Sequence, residues 1–131
     1  MPAKFIKAMP RLPIANARRT AEFYTSVLGF KVTGRWPARA PNFLLLDRDD
    51  VRLAFDVVKG HPAQSAKSAC GFYLETADVR ALHKSISGRV QIEWGPEVYS
   101  YGRREFAIRD PDGYMIIFTE ATNDPPTCVV D

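Results

Sequence analysis

The sequence reads as an α+β domain made of two diverged copies of one strand–helix–strand–strand–strand module. Three observations predict this: an internal repeat, two amphipathic helices each behind an N-cap residue, and apolar strands flanking Asp-rich turns. Laid on residues 106–118, residues 43–55 match without a gap at an offset of 63, with Phe43/Phe106, Asp47/Asp110, Asp49/Asp112 and Phe55/Phe118 identical. Each stretch predicts a strand, a tight turn at Asp49-Asp50 or Asp112-Gly113, and a returning strand.

The first module spans residues 4–58. Leu12 and Ile14 open it as a strand, and Asn16 is suited to cap the following helix, because its side-chain oxygen can accept from a free N–H of the first turn. Ala17, Ala21, Tyr24 and Leu28 recur at helical spacing, and Gly29 suits the left-handed residue past the helix end. A strand over residues 30–33 precedes the first hairpin. The second module, residues 69–121, repeats the order. Phe72 and Leu74 lie in a strand, Asp78 is the cap, and Val79, Leu82 and Ile86 mark a helix over residues 79–87. A strand over residues 89–93 and the second hairpin follow. Residues 59–68, with Gly60 and Pro62, read as a linker, and the polar, Pro-containing residues 122–131 as a poorly ordered tail. Neither module is large enough to close a core comfortably alone, so residues 1–131 read as a single domain.

Composition excludes several classes. No apolar run approaches the roughly 20 residues of a membrane span, and the N-terminus lacks the apolar stretch of a signal peptide. The two cysteines, Cys70 and Cys128, are fewer than a disulfide-stapled secreted chain would carry, so a cytoplasmic protein is expected. The net charge of +3 is mild and the basic residues are scattered, so neither nucleic acid nor membrane is an expected partner.

The stretch from Ile14 to Phe30, with Phe23-Tyr24 and then Leu28-Gly29-Phe30, resembles the helix signature of the vicinal-oxygen-chelate superfamily, which holds glyoxalase, bleomycin-resistance proteins and extradiol dioxygenases. Arg104 to Gly113 resembles its last hairpin, and the lead-in Gly102-Arg103-Arg104-Glu105-Phe106 is most like the bleomycin-resistance branch. The resemblance implies that the paired modules form a curved, cup-shaped mixed sheet with the helices outside. It also implies a homodimer with pockets at or near the subunit interface.

Strand alternation then sorts side chains by face. Phe43, Leu45, Val51, Leu53 and Phe55, echoed by Phe106, Ile108, Tyr114, Ile116 and Phe118, are expected under the helices. Leu44, Leu46, Arg52, Ala54 and Asp56, with Ala107, Arg109, Met115, Ile117 and Thr119, are expected to line the cup. Met9, Arg11 and Pro13 join them from the first strand, and Gly71, Tyr73 and Glu75 from its counterpart.

Metalloenzymes of the superfamily hold a divalent ion in the cup. The resemblance implies ligand positions at Met9, Ala54, Gly71 and Ile117, and none of these residues can bind a hard cation. His61, in the linker, and His83, on the second helix, read as exposed polar residues. No metal or other cofactor is expected. Asp110-Pro111-Asp112-Gly113 is too short for a calcium loop and reads as a turn. Glu75, Asp56 and Tyr73 are candidates for acid–base chemistry, with a salt bridge to Arg11 or Arg52 as the plainer role for a carboxylate. Trp36, Trp94, Tyr99 and Tyr101, expected in loops, offer flat area for a planar ligand, or cover the sheet or a dimer interface.

The leading reading is a metal-independent protein that sequesters a small molecule, in the manner of the bleomycin-resistance branch and with antibiotic resistance as one outcome. Its expected ligand-binding residues are Arg11, Trp36, Arg52, Asp56, Tyr73, Glu75, Trp94, Tyr99, Arg103, Met115 and Ile117. The basic chain points to an aromatic or anionic ligand rather than a strongly cationic one. The alternatives are a metal-free enzyme of the superfamily and a regulatory or partner-binding scaffold.

Overall fold

In the computed structural model, residues 2–61 and 70–128 are described. The chain runs β1 (Arg11–Ile14), α1 (Ala17–Ser26), β2 (Lys31–Trp36), β3 (Phe43–Arg48), β4 (Val51–Val57), β5 (Gly71–Glu75), α2 (Val79–Ile86), β6 (Trp94–Tyr99), β7 (Arg103–Arg109) and β8 (Met115–Ala121). It divides into two compact units, Met1–His61 and Pro62–Asp131. Each holds one four-stranded sheet, ordered β1-β4-β3-β2 in the first and β5-β8-β7-β6 in the second. β1 is parallel to β4 and β5 to β8, and the remaining pairs are antiparallel. The order of elements is the βαβββ repeat expected from the sequence. No helix among the described residues is long and apolar enough to cross a membrane.

The caps form as the residue types dictate. Asn16 accepts from the Arg19 N–H at 2.9 Å, and Asp78 from the Ala81 N–H at 3.0 Å. Gly29 leaves α1 at a φ of +70°. Arg48 then reaches back from β3 and donates to the Leu28 carbonyl at 2.7 Å, satisfying an acceptor that the end of the helix leaves open. Under α1, Tyr24 is the centre of an aromatic core, 5.7 Å from Phe30 and 5.0 Å from Phe55. Ile14, Leu44, Leu46 and Leu53 complete it. In the second unit the Phe106 and Phe118 rings lie 4.9 Å apart at a tilt of 31°, among Val79, Ile86, Ile108 and Ile116. Each such side chain contributes about 1.5–3 kcal/mol through burial.

Four expectations need correction. The first concerns the faces of β3. Leu44 and Leu46 are the buried pair, opposite Phe55 and Leu53, whereas Phe43 and Leu45 stand opposite Asp56 and Ala54 on the other face. The ungapped repeat hides this because the second hairpin turn is one residue longer. Asp47 pairs with Arg52, while its counterpart Arg109 pairs with Met115. The copies therefore match at an offset of 63 along β4 and β8 but 62 along β3 and β7, and a one-residue slip exchanges the faces of a strand.

Second, the edge strands β2 and β6 lie later than expected. β2 runs on to Trp36, and β6 occupies Trp94–Tyr99 while residues 89–93 form no strand. Gly95 and Pro96 sit at a register shift between Trp94 and Glu97, so a bulge carries the strand through residues that look like a loop. Trp36, Trp94 and Tyr99 are accordingly strand residues, and only Tyr101 is in a turn.

Third, the tail is tied down as far as Cys128. Thr127 donates its N–H to the Val98 carbonyl and accepts the Val98 N–H on its hydroxyl, both at 2.8 Å. Asp124 pairs with the buried Arg104, which Glu120 also accepts at 3.4 Å. Fourth, His83 is half-buried, edge-on to Phe106 at 5.1 Å, rather than exposed. Most of the expected linker lies outside the described residues.

Candidate functional site

Each sheet buries one face under its helix, which leaves the opposite face to carry polar and aromatic side chains. In the first unit this face brings Arg11, Ala54 and Asp56 together with Phe43 and Leu45, because β1 and β3 flank β4 in register. Arg11 and Asp56 form an ion pair. Arg52 grips Asp47 with two bonds of 2.8 Å, which holds the Asp47 carboxyl below its ordinary pKa and raises that of Arg52. Trp36, 53% exposed, lies 5.9 Å from Phe43. Its ring folds over Gly34, where any side chain would strike it.

The second unit's open face is richer. Tyr73 and Glu75 on β5 stand beside Ile117 and Thr119 on β8, followed by Arg103, Glu105 and Ala107 on β7, with Tyr99, Glu97 and Trp94 on β6. Arg103 joins three of these strands. It donates to Glu75 at 2.5 Å and to Thr119 at 2.9 Å. Tyr101 stacks on Tyr99 with ring centroids 5.5 Å apart and planes 4° from parallel, and Trp94 meets Tyr99 edge-on at 6.0 Å. The Tyr101 hydroxyl donates to Glu105 at 2.5 Å. Burial, and then the Glu105 carboxylate, push the Tyr101 phenol well above its ordinary pKa, and burial also raises that of Tyr99. Both stay neutral donors at physiological pH. Tyr73 and Tyr101 nonetheless keep 63% and 58% of their surface exposed. The result is a row of rings, Trp94, Tyr99 and Tyr101, in which the Tyr101 hydroxyl is fixed by a carboxylate, an arrangement suited to stacking a planar group.

The profile of the Glyoxalase/Bleomycin resistance protein/Dioxygenase superfamily matches residues 8–118. The chain belongs to this superfamily. Among similar solved structures are a bleomycin resistance determinant encoded on the transposon Tn5, 26% identical with a TM-score of 0.74 over 89% of this chain and 98% of that one. Another is the bleomycin-binding protein from bleomycin-producing Streptomyces verticillus, solved with copper(II)-bleomycin, 25% identical with a TM-score of 0.70 over 93% and 99%. TnmS3, an antibiotic binding protein from Streptomyces sp. CB03234, shares the fold at 24% identity and a TM-score of 0.72 over 93% and 100%. No curated protein gives a match.

The positions at which the superfamily's enzymes hold a divalent ion do not suit one here. Met9 lies outside the strands, Ala54 and Ile117 are aliphatic strand residues, and Gly71 opens β5. At Gly71 the mismatch is also steric, since a Cβ there would stand 2.5 Å from the Met115 carbonyl oxygen. Among the described residues no three His, Cys, Asp or Glu side chains gather as a metal site. Asp110 acts as a turn residue, its carboxylate accepting the N–H groups of Asp112 at 2.9 Å and Tyr114 at 3.0 Å.

Of the expected site residues, Arg11, Arg52 and Asp56 share the first unit's open face with Trp36. Tyr73, Glu75, Trp94, Tyr99, Arg103, Met115 and Ile117 share the second's. Arg11, Arg52 and Arg103 are each engaged by a carboxylate, which lessens the electrostatic case for an anionic ligand there. Sequence reasoning missed Glu105, although it alternates with Arg103 and Ala107 along the strand. Asp47, Phe43 and Leu45 were missed through the β3 slip.

Proposed function

We propose that this protein binds an aromatic small molecule and sequesters it without a metal and without chemical change, as an antibiotic-resistance protein would. The observation that carries the reading is the Tyr99–Tyr101 stack on the second unit's open face, which also presents the exposed Tyr73. The stacked rings, with Tyr101 exposed and anchored by Glu105, give area for stacking at little cost in side-chain ordering. Support comes from the similarity, at 25–26% identity, to a bleomycin resistance determinant and to a bleomycin-binding protein solved with copper(II)-bleomycin. The unsuitable residues at the superfamily's metal positions favour binding over metal-assisted chemistry. Glu75 and Asp56, the acid–base candidates, are each occupied by an arginine, which favours ligand contact over proton transfer. In this reading the working form is a homodimer.

The test is thermal-shift screening of chelator-treated protein against aromatic antibiotics, bleomycin and aromatic acids, followed by calorimetry and mass analysis of the recovered ligand. A binder that raises the melting temperature, returns unaltered and loses affinity in Tyr101→Ala is the expected result. A ligand that is converted, or that binds only after divalent metal is restored, overturns the proposal. Sedimentation of free and liganded protein decides the dimer.

A further inference from the structure

The two copies differ on the helix side of their sheets, and we infer from this a second ligand site. The groove between α1 and β2 binds a small amphipathic carboxylate, its apolar body over Leu44 and its anion at Arg35. The site lies on the opposite face from Trp36 and Phe43 and stands independently of the proposed function.

The groove follows from residue size. α1 turns Ala17 and Ala21 toward β2 and β3, and these methyl groups leave a trough of about 380 Å³ floored by Leu44 and flanked by Val32. That volume lies in the range of small-ligand pockets, roughly 300–1,000 Å³. The repeat supplies the comparison. An offset of 62 carries the cap Asn16 onto the cap Asp78, and so carries Ala17 onto Val79, Ala21 onto His83 and Leu44 onto Phe106. In the second unit His83 covers Phe106 at 5.1 Å. The first unit leaves open the space that the second fills with an imidazole and a larger ring.

The rim gives the ligand's charge. Arg35 stands opposite Leu44 in register, so it shares the helix side, and its side chain makes no ion pair or hydrogen bond among the described residues. Arg18, the other rim cation, is shared with Glu22 at 3.3 Å. Among the described residues the rim therefore carries one unpaired positive charge above an apolar floor. A carboxylate complements it through charge-assisted hydrogen bonds, whereas an ammonium would meet only Glu22, already engaged.

The test uses 4-phenylbutyrate and its neutral match 4-phenylbutan-1-ol, followed by amide chemical shifts of the full chain. The acid is expected to shift Ala17, Ala21, Val32 and Leu44 with a Kd in the low millimolar range or tighter, as a fragment of about this size allows. Ala21→His, which installs the residue of the second copy, abolishes the shifts. Should that variant not fold, Ala17→Val, which installs the counterpart of Val79, weakens them instead. Arg35→Gln weakens the acid by about threefold, the scale of an exposed ion pair, and leaves the alcohol unchanged. Shifts confined to other residues, unchanged binding in the folded filling variant, or equal effects of Arg35→Gln on acid and alcohol overturn the assignment. So do groove shifts that depend on protein concentration alone, which would make the occupant a second copy of the chain.

Discussion

Replacing Gly95 by alanine tests whether β6 depends on a close approach that only glycine allows. Gly95 adopts a φ of +82°, and a Cβ built there would stand 2.4 Å from the Glu105 carbonyl oxygen and 2.9 Å from the Phe106 Cα. Both obstacles are backbone atoms of β7, so no rotamer change relieves them. The left-handed conformation costs alanine about 1–2 kcal/mol. Forcing a methyl group into filled space adds about 1–3 kcal/mol. Gly95→Ala is therefore expected to destabilise by about 2–5 kcal/mol, a large share of the roughly 5–15 kcal/mol that holds a typical domain folded. Urea unfolding followed by circular dichroism measures the difference from the midpoint and slope. Gly88→Ala is the control, since nothing lies within 4 Å of a Cβ there, and it should stay within about 0.5 kcal/mol of wild type. Because Glu105 anchors Tyr101, Gly95→Ala should also weaken an aromatic ligand of the second unit. A stability loss below about 1 kcal/mol refutes the close-approach argument.

Two further outcomes follow from the second unit. Burial and the nearby Asp112 and Asp110 push the Tyr114 phenol up to about 12 from an ordinary 10.0, so its contribution is complete below pH 10 and is lost as pH rises toward 12. The loss is on the order of 2–3 kcal/mol, and urea midpoints between pH 9 and 12 should fall less in Tyr114→Phe than in wild type; equal falls count against it. Tyr101→Phe removes the hydroxyl that bonds the buried Glu105 carboxylate, and should lower stability by about 1–3 kcal/mol at neutral pH in the same assay.

The features legible in the sequence are those set by neighbours along the chain. Asn16 and Asp78 cap their helices because a cap needs only the next three residues, and Gly29 ends α1 for the same reason. The open-face positions on β1, β4, β5 and β8, and those on β7 apart from Glu105, were legible from alternation together with the repeat. What was not legible depended on pairing between strands. Leu44 and Phe43 are both apolar, so alternation alone could not say which of them is buried. Gly95 and Pro96 carry loop character, and only the register across to β7 makes them part of a strand. Thr127 looks like any polar tail residue until the edge of β6 lies beside it. Ala17 and Ala21 fit the helical pattern of a core face, yet they border a groove, because α1 buries Thr20 and Tyr24 instead.

The extra residue in the second hairpin turn has a practical consequence for anyone diversifying this protein. A mutant library designed from the ungapped repeat would randomise Leu44 and Leu46 as lining positions, and its survivors would be chosen for folding alone. A library built on the true register would randomise Phe43, Leu45 and Asp47, where the side chains leave the core undisturbed and selection can act on what the protein holds. Turn length thus decides whether such an experiment evolves the scaffold or its specificity.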